Sequence, residues 1–185
     1  MIRAFVGLPL PDACAEALGV VQDRLSAGRD VPRDNLHLTL AFLGAQPESV
    51  LEDLHGLLER VTAPPMTLRF SGYEMFGGTK PRLLAALVAL NPALQALRAK
   101  VRRAAYSVGI DLPRERFRPH VTLTRFAGLL TSGEERRVRS VMEGAVLVPD
   151  WPVEQMVLYR SVLNPSGARY DALADYPLAP GAPAF

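Results

Sequence analysis

His37-Leu38-Thr39-Leu40 and His120-Val121-Thr122-Leu123 are two copies of one phrase in a chain with only three histidines. In an extended strand successive side chains point to opposite faces, so His37 and Thr39 share a face while Leu36, Leu38, Leu40 and Phe42 line the other. By the same alternation His120, Thr122 and Thr124 share a face, with Val121 and Leu123 behind it. Each strand then offers an imidazole beside a hydroxyl, and two such strands facing each other make a two-histidine site. Phosphodiester hydrolysis without a metal needs a neutral imidazole to deprotonate the nucleophile and an imidazolium to protonate the leaving oxygen; histidine supplies both forms near neutral pH. The threonine hydroxyls can donate to the non-bridging phosphate oxygens as charge develops. Arg125 would add a guanidinium, whose planar fork suits phosphate oxygens. Strict alternation sets Arg125 on the side of Val121 and Leu123, where an unpaired charge is costly, so a bulge or the strand's end has to reorient it.

The elements that must carry these residues occur twice in the same order. The first half reads as strand Arg3 to Leu8, helix Pro11 to Ala27, motif strand Leu36 to Leu43, helix Pro47 to Thr62 and strand Met66 to Tyr73. The second reads as strand Arg82 to Leu90, helix Pro92 to Val108, motif strand Pro119 to Phe126, helix Ser132 to Glu143 and strand Val153 to Val162, with a last strand Arg169 to Leu173. Asn91-Pro92 supplies an N-cap and a first-turn proline, Ser132 to Glu135 has capping-box spacing, and Gly28 and Gly109 stand where helices should stop. Val50, Leu54, Leu57, Leu58 and Val61 form one apolar stripe and Leu94, Leu97, Val101, Ala104, Ala105 and Val108 another, so both helices should lie on sheets. His55, at the edge of the first stripe and without a threonine partner, reads as a surface residue. The spacing of 83 residues between the motif histidines points to two equivalent lobes, approximate repeats 1–74 and 82–162 of one domain spanning 1–185, related by a pseudo-twofold axis. Strands may be exchanged between the lobes; whether each sheet is parallel or antiparallel stays open at this level.

At 185 residues and 49% hydrophobic content the chain can bury a substantial core, and disorder is not expected. Its longest apolar run, Leu83 to Leu90, is too short to span a bilayer. Met1 passes straight into a strand without the apolar region of a signal peptide, so a cytoplasmic location without membrane association is expected. Cys14 is the only cysteine and sits among alanines, which suggests helix packing. Charge is unevenly spread: residues 1–62 hold five basic and nine acidic side chains, whereas residues 98–125 hold eight basic and two acidic. That second stretch, ending on the second motif, is a candidate phosphate-attracting surface.

Other chemistries lack their residues. There is no Cys-x-x-Cys, His-Glu-x-x-His, phosphate-binding glycine loop or dinucleotide fingerprint. Two histidines could still hold a metal, but no carboxylate repeats beside both motifs; neither a metal nor another cofactor is expected.

With these residues in view the chain resembles the two-histidine phosphoesterases, and within them the RNA 2′,3′-cyclic phosphodiesterases, also called 2′-5′ RNA ligase-like proteins. Arg3-Ala4-Phe5-Val6-Gly7-Leu8 is similar to the family's first strand, and Asn35-Leu36-His37-Leu38-Thr39-Leu40-Ala41-Phe42-Leu43-Gly44 to its first motif. Arg116-Phe117-Arg118-Pro119-His120-Val121-Thr122-Leu123-Thr124-Arg125 is similar to the second, and Leu158-Tyr159-Arg160-Ser161, Gly167 and Tyr170 to its C-terminal hairpin. The resemblance implies an α+β fold of two lobes, each an antiparallel-rich sheet with outer helices, around a central cleft. It implies opening of an RNA terminal 2′,3′-cyclic phosphate by water to a 2′-phosphate, with His37 as acid toward the 3′ oxygen and His120 as base. Thr39, Thr122 and Arg125 would hold the phosphate. It also implies a reverse reaction that joins RNA ends through a 2′-5′ bond. Family members often carry Arg-Trp ahead of the first motif, where this chain has Arg29-Asp30, and its one tryptophan is Trp151. Base stacking would fall to another aromatic, for which Phe76 is the candidate. RNA ending in a 2′,3′-cyclic phosphate is the expected partner, with no obligate protein partner. Relatives acting on 2′-5′ oligoadenylate or ADP-ribose cyclic phosphate, and an RNA-binding module without catalysis, are alternatives.

Overall fold

The computed structural model describes residues 1–164 and 167–178, so the last residues of the expected unit 1–185 lie outside the described part. In chain order the elements are β1 (Ile2–Pro9), α1 (Asp12–Leu25), β2 (Arg29–Asp30), a short 3₁₀ turn (Arg33–Asn35), β3 (His37–Gln46), α2 (Glu48–Leu58), β4 (Met66–Leu68) and β5 (Phe70–Phe76). They continue with β6 (Leu83–Val88), α3 (Pro92–Ser107), β7 (His120–Arg125), α4 (Ser132–Met142), β8 (Trp151–Val153), β9 (Gln155–Asn164) and β10 (Gly167–Pro177). The fold is α+β. The main sheet runs β10-β9-β1-β3-β7-β6-β5 with β2 paired to β7, and its strand pairs are antiparallel.

The two motif strands join only at Leu38 opposite Val121. Away from that pair they part, so the sheet is two half-sheets hinged at the histidine strands. β1, β3, β9 and β10 make one half, and β5, β6 and β7 the other. The halves are not simple sequence halves, since β5 from the first repeat sits with β6 and β7 while β9 from the second pairs with β1 and carries β10 on its other edge.

The helices form as their caps and stripes dictate. The Asn91 side chain accepts from the Leu94 amide at 2.8 Å, and α3 buries Leu94, Leu97, Val101, Ala104 and Ala105. α3 packs on β3 and α2, and α1 packs on α4 and β7, so helices cover the apolar side of the sheet. Cys14 is buried in α1. No helix among the described residues is long and apolar enough to cross a membrane.

Four expectations need correction. The capping box of α4 is Thr131 with Glu134, one residue earlier than expected, because the helix begins at Ser132 and the N-cap must precede it. α1 ends with Ser26 in the left-handed conformation, and Gly28 lies beyond the helix. The expected strands Met66 to Tyr73 and Val153 to Val162 divide at Arg69 and at Glu154. β4 and β8 leave the main sheet to pair with each other, with buried Trp151 stacked on Phe70 at 6.1 Å between ring centroids. β10 extends from Gly167 to Pro177, well past Leu173, because β9 gives it an antiparallel partner along its length. β2 carries no strand signal at two residues, and exists only because Arg29 and Asp30 meet Arg125 and Thr124.

Candidate active site

His37, Thr39, His120, Thr122 and Arg125 all line one cavity of about 460 Å³ on the face of the sheet away from the helices. The motif strands bring them there by register. With Leu38 opposite Val121 in an antiparallel pair, His37 lies across from Thr122 and Thr39 across from His120. Each histidine therefore faces the other motif's hydroxyl.

Both imidazoles are oriented in the same way. A main-chain carbonyl two residues upstream, Asn35 for His37 and Arg118 for His120, lies 2.7 Å from Nδ1. A carbonyl oxygen only accepts, so each Nδ1 carries its proton and each Nε2 is left for the cleft. His37 Nε2 is 3.2 Å from the Thr39 hydroxyl, which donates to it when the ring is neutral. The Asn35 side-chain amide also donates to the Ala168 carbonyl at 2.8 Å, tying the β9-β10 hairpin to the first motif.

The surroundings of the two rings differ. His37 is packed among Phe5 (4.6 Å between centroids), Tyr170 (5.1 Å, edge on) and Tyr159 (6.1 Å). This burial, above all, holds its pKa down at about 4, and the nearby charges of Arg125 and His120 push the same way against the Asn35 hydrogen bond. His37 is therefore neutral near pH 7. Among the described residues His120 has one aromatic neighbour, Phe76, at 4.9 Å. That contact places Phe76 beside the second histidine at the end of β5, with the Arg118 guanidinium 4.9 Å above its ring. His55 does not border the cavity and exchanges a hydrogen bond with the Tyr176 hydroxyl at 2.9 Å. Trp151 is buried structurally and takes no part in the cavity.

The depressed pKa of His37 makes stability pH-dependent. The unfolded chain takes up this proton near the ordinary imidazole value of about 6.5, the folded one only near 4. Between the two the unfolded state binds more protons, so the contribution is complete above about pH 6.5 and is lost as pH falls through 4, by roughly 3 kcal/mol. Urea midpoints measured across this window should fall more steeply for the wild type than for His37→Gln. Parallel curves would show that His37 is not the group buried neutral.

Strict alternation fails at one homologous place in each motif, and the failure assembles the site. On β3 Thr39 pairs with Gly7 and Ala41 with Val6, leaving Leu40 as an extra residue. On β7 Thr122 pairs with Ala85 and Thr124 with Leu84, leaving Leu123 extra. Each bulge follows the motif threonine directly, and each reverses the faces beyond it. Arg125 consequently turns into the cleft, where it borders the cavity with both motif histidines. Two expectations are overturned by the same geometry. Thr124 does not join His120 and Thr122: it is fully buried, and its hydroxyl donates to the Ala27 carbonyl at 3.0 Å. Phe42 does not line the apolar face with Leu40, but is 46% exposed and borders the cavity under the Arg3 guanidinium.

Sequence reasoning missed the group that holds the second bulge. Gln22 on α1 is buried, and its amide donates at 2.8 Å to the carbonyls of both Val31 and Leu123. The Leu123 carbonyl also accepts from the Val31 amide at 2.8 Å, so the bulged peptide has two donors. Its signal was a glutamine in the buried stripe Leu18, Gln22, Leu25, where an amide must find partners. Gly28 serves the same corner. It has φ +70°, and a Cβ there would stand 2.6 Å from the Arg125 carbonyl, so β2 can approach β7 only through a glycine. Arg29, which follows, borders the same cavity.

A model of the 2′-5′ RNA ligase superfamily matches residues 10–164. The chain is 34% identical to an RNA 2′,3′-cyclic phosphodiesterase of Thermus thermophilus, over 96% of this chain and 90% of that one. It is 30% identical to a protein of the same name from Geobacillus stearothermophilus, over 97% of this chain and 58% of that one. Among solved structures, TT0787 of Thermus thermophilus superposes with a TM-score of 0.84 at 28% identity, covering 98% of this chain and all of the other. E. coli LigT complexed with 3′-AMP does so with a TM-score of 0.71 at 25% identity, covering 96% and 98%.

Proposed function

The chain belongs to the 2′-5′ RNA ligase superfamily, and from that premise we propose that it hydrolyses RNA terminal 2′,3′-cyclic phosphates to 2′-phosphates with His37 and His120 as its acid–base pair. The observation that carries this reading is the convergence of both His-x-Thr pairs and Arg125 on one cavity. His120 Nε2 takes a proton from water as its oxygen bonds to phosphorus. The bond from phosphorus to the 3′ oxygen breaks, and that oxygen takes the proton of His37 Nε2. The products are a 2′-phosphate and a 3′-hydroxyl, with the protonation states of the two histidines exchanged; solvent resets them. Thr39, Thr122 and Arg125 hold the non-bridging oxygens, and Phe76 offers its ring to the terminal base.

Burial keeps His37 neutral near pH 7, so its proton has to arrive with the anionic substrate. A phosphate monoanion against Nε2 favours the imidazolium that burial alone disfavours. The same step with a 5′-hydroxyl end in place of water would join it to the 2′,3′-cyclic phosphate end through a 2′-5′ bond, with hydrolysis prevailing in water. We read residues 1–185 as one domain in which repeats 1–74 and 82–162 each supply one histidine, working in the cytoplasm where its RNA is found.

The test is incubation with an RNA oligonucleotide ending in a 2′,3′-cyclic phosphate, in excess chelator, with the product's end group identified. A 2′-phosphate formed at an undiminished rate is expected. A 3′-phosphate product, or activity abolished by chelator and restored by a divalent ion, would overturn the mechanism.

A further inference from the structure

Resting on that reading, we propose that a groove beside His120, edged by Arg98 and Arg116, is the track for the RNA strand leading to the cyclic end. This groove, of about 320 Å³, is continuous with the catalytic cavity: Thr39, Phe42 and His120 border both. Its walls hold four arginines, Arg98, Arg102, Arg116 and Arg118, against one carboxylate, Glu115. These belong to the basic stretch that the sequence places just ahead of the second motif, and the fold turns them toward the histidine.

The groove is built. Arg102 donates to the Tyr106 hydroxyl and the Pro113 carbonyl, both at 2.8 Å, pinning the loop that presents Arg116 and Arg118. Arg118 pairs with Glu74 and covers Phe76, which in turn lies on His120. Arg98 is left short of partners. Its guanidinium lies 4.4 Å from the centre of the Phe117 ring, and its buried Nε has no hydrogen-bond acceptor among the described residues. Burial first, and then the charge of Arg102, lower its pKa, the mark of a cation that a bound anion would relieve. An internucleotide phosphate supplies that charge, and Phe42, exposed where cavity and groove meet, offers a stacking surface for a base.

Electrostatics favours the groove over the cavity along β2 and the β9-β10 hairpin, where Arg29, Arg125 and Arg169 are balanced by Asp30, Asp34 and Asp171. Arg169 is already bonded to Asp171 at 2.9 Å. A further basic cavity, lined by Arg29, Lys80, Arg82 and Arg125, borders neither histidine, whereas the groove borders His120.

The test compares kcat/KM on a nucleoside 2′,3′-cyclic monophosphate with that on an RNA oligonucleotide ending in the same nucleotide. The oligonucleotide is expected to be favoured by about tenfold or more, in keeping with a few added phosphate and stacking interactions. Arg98→Gln with Arg116→Gln should remove most of that preference while the mononucleotide rate stays within about twofold. Arg116→Gln alone, at an exposed loop position, should remove part of it without disturbing the fold. Arg169→Gln should change neither. A second readout needs no chemistry: fluorescence-anisotropy binding of the same strand with a 3′-hydroxyl should weaken about tenfold in the double variant, with a log–log salt slope shallower by about 0.7 for each phosphate no longer held. Unchanged binding and preference in the double variant, or loss of both in Arg169→Gln instead, would overturn the groove. A wild-type protein that binds the strand through these arginines but opens neither substrate would sink the hydrolytic reading and leave the groove standing.

Discussion

Replacing either His37 or His120 by alanine is expected to cut turnover on a 2′,3′-cyclic phosphate end by about 10²–10⁴-fold, roughly 3–5 kcal/mol of barrier, with the fold intact. The size follows from the proposed division of work, in which each ring moves one proton in the transition state and nothing in the other motif replaces it. The threonines lie across from the histidines but have no basicity near neutral pH, and Arg125 does not give up its proton. Loss of both rings together should cost little more than loss of one, since a pair acting in one step is not additive. Single-turnover kinetics with circular dichroism as a fold control is the measurement. Full activity in either single variant would remove that histidine from the chemistry.

The two rings should separate when the leaving group no longer needs a proton. On a cyclic phosphodiester analogue with sulfur in place of the 3′ oxygen, the departing thiolate is stable unprotonated. The His37→Ala defect should then shrink from the 10²–10⁴ range to about tenfold or less, while the His120→Ala defect persists because water still needs a base. The pH profiles should change with it. On the natural substrate the profile is expected to be bell-shaped, reporting the pair through coupled apparent values. On the thiolate analogue the alkaline fall should give way to a plateau, since no acid is required. Rescue of His120→Ala instead would exchange the two roles. The difference in environment gives the experiment its edge: His37, wedged between Phe5 and Tyr170, is the ring whose proton burial disfavours.

What the sequence determined by itself was everything governed by short-range periodicity. The repeated His-x-Thr phrase needs only the two-residue period of a strand to put ring and hydroxyl on one face, and both pairs do border one cavity. The stripe of α3 and its Asn91 cap were equally legible, because capping and a 3.6-residue period are local properties. The α+β fold and the family were legible through the paired motifs and their flanks. Tertiary structure decided where that period is broken. The extra residues Leu40 and Leu123 cannot be read from alternation, because a bulge is fixed by the register of β1 and β6 and by donors brought from elsewhere. Gln22 reaches the Leu123 carbonyl from 101 residues away, and Thr124 closes on Ala27 from 97 away. Those remote hydrogen bonds make it cheaper to bury Thr124 and turn Arg125 to the cleft than to keep the pleat, and so they supply the cation that the motif alone had left facing the core.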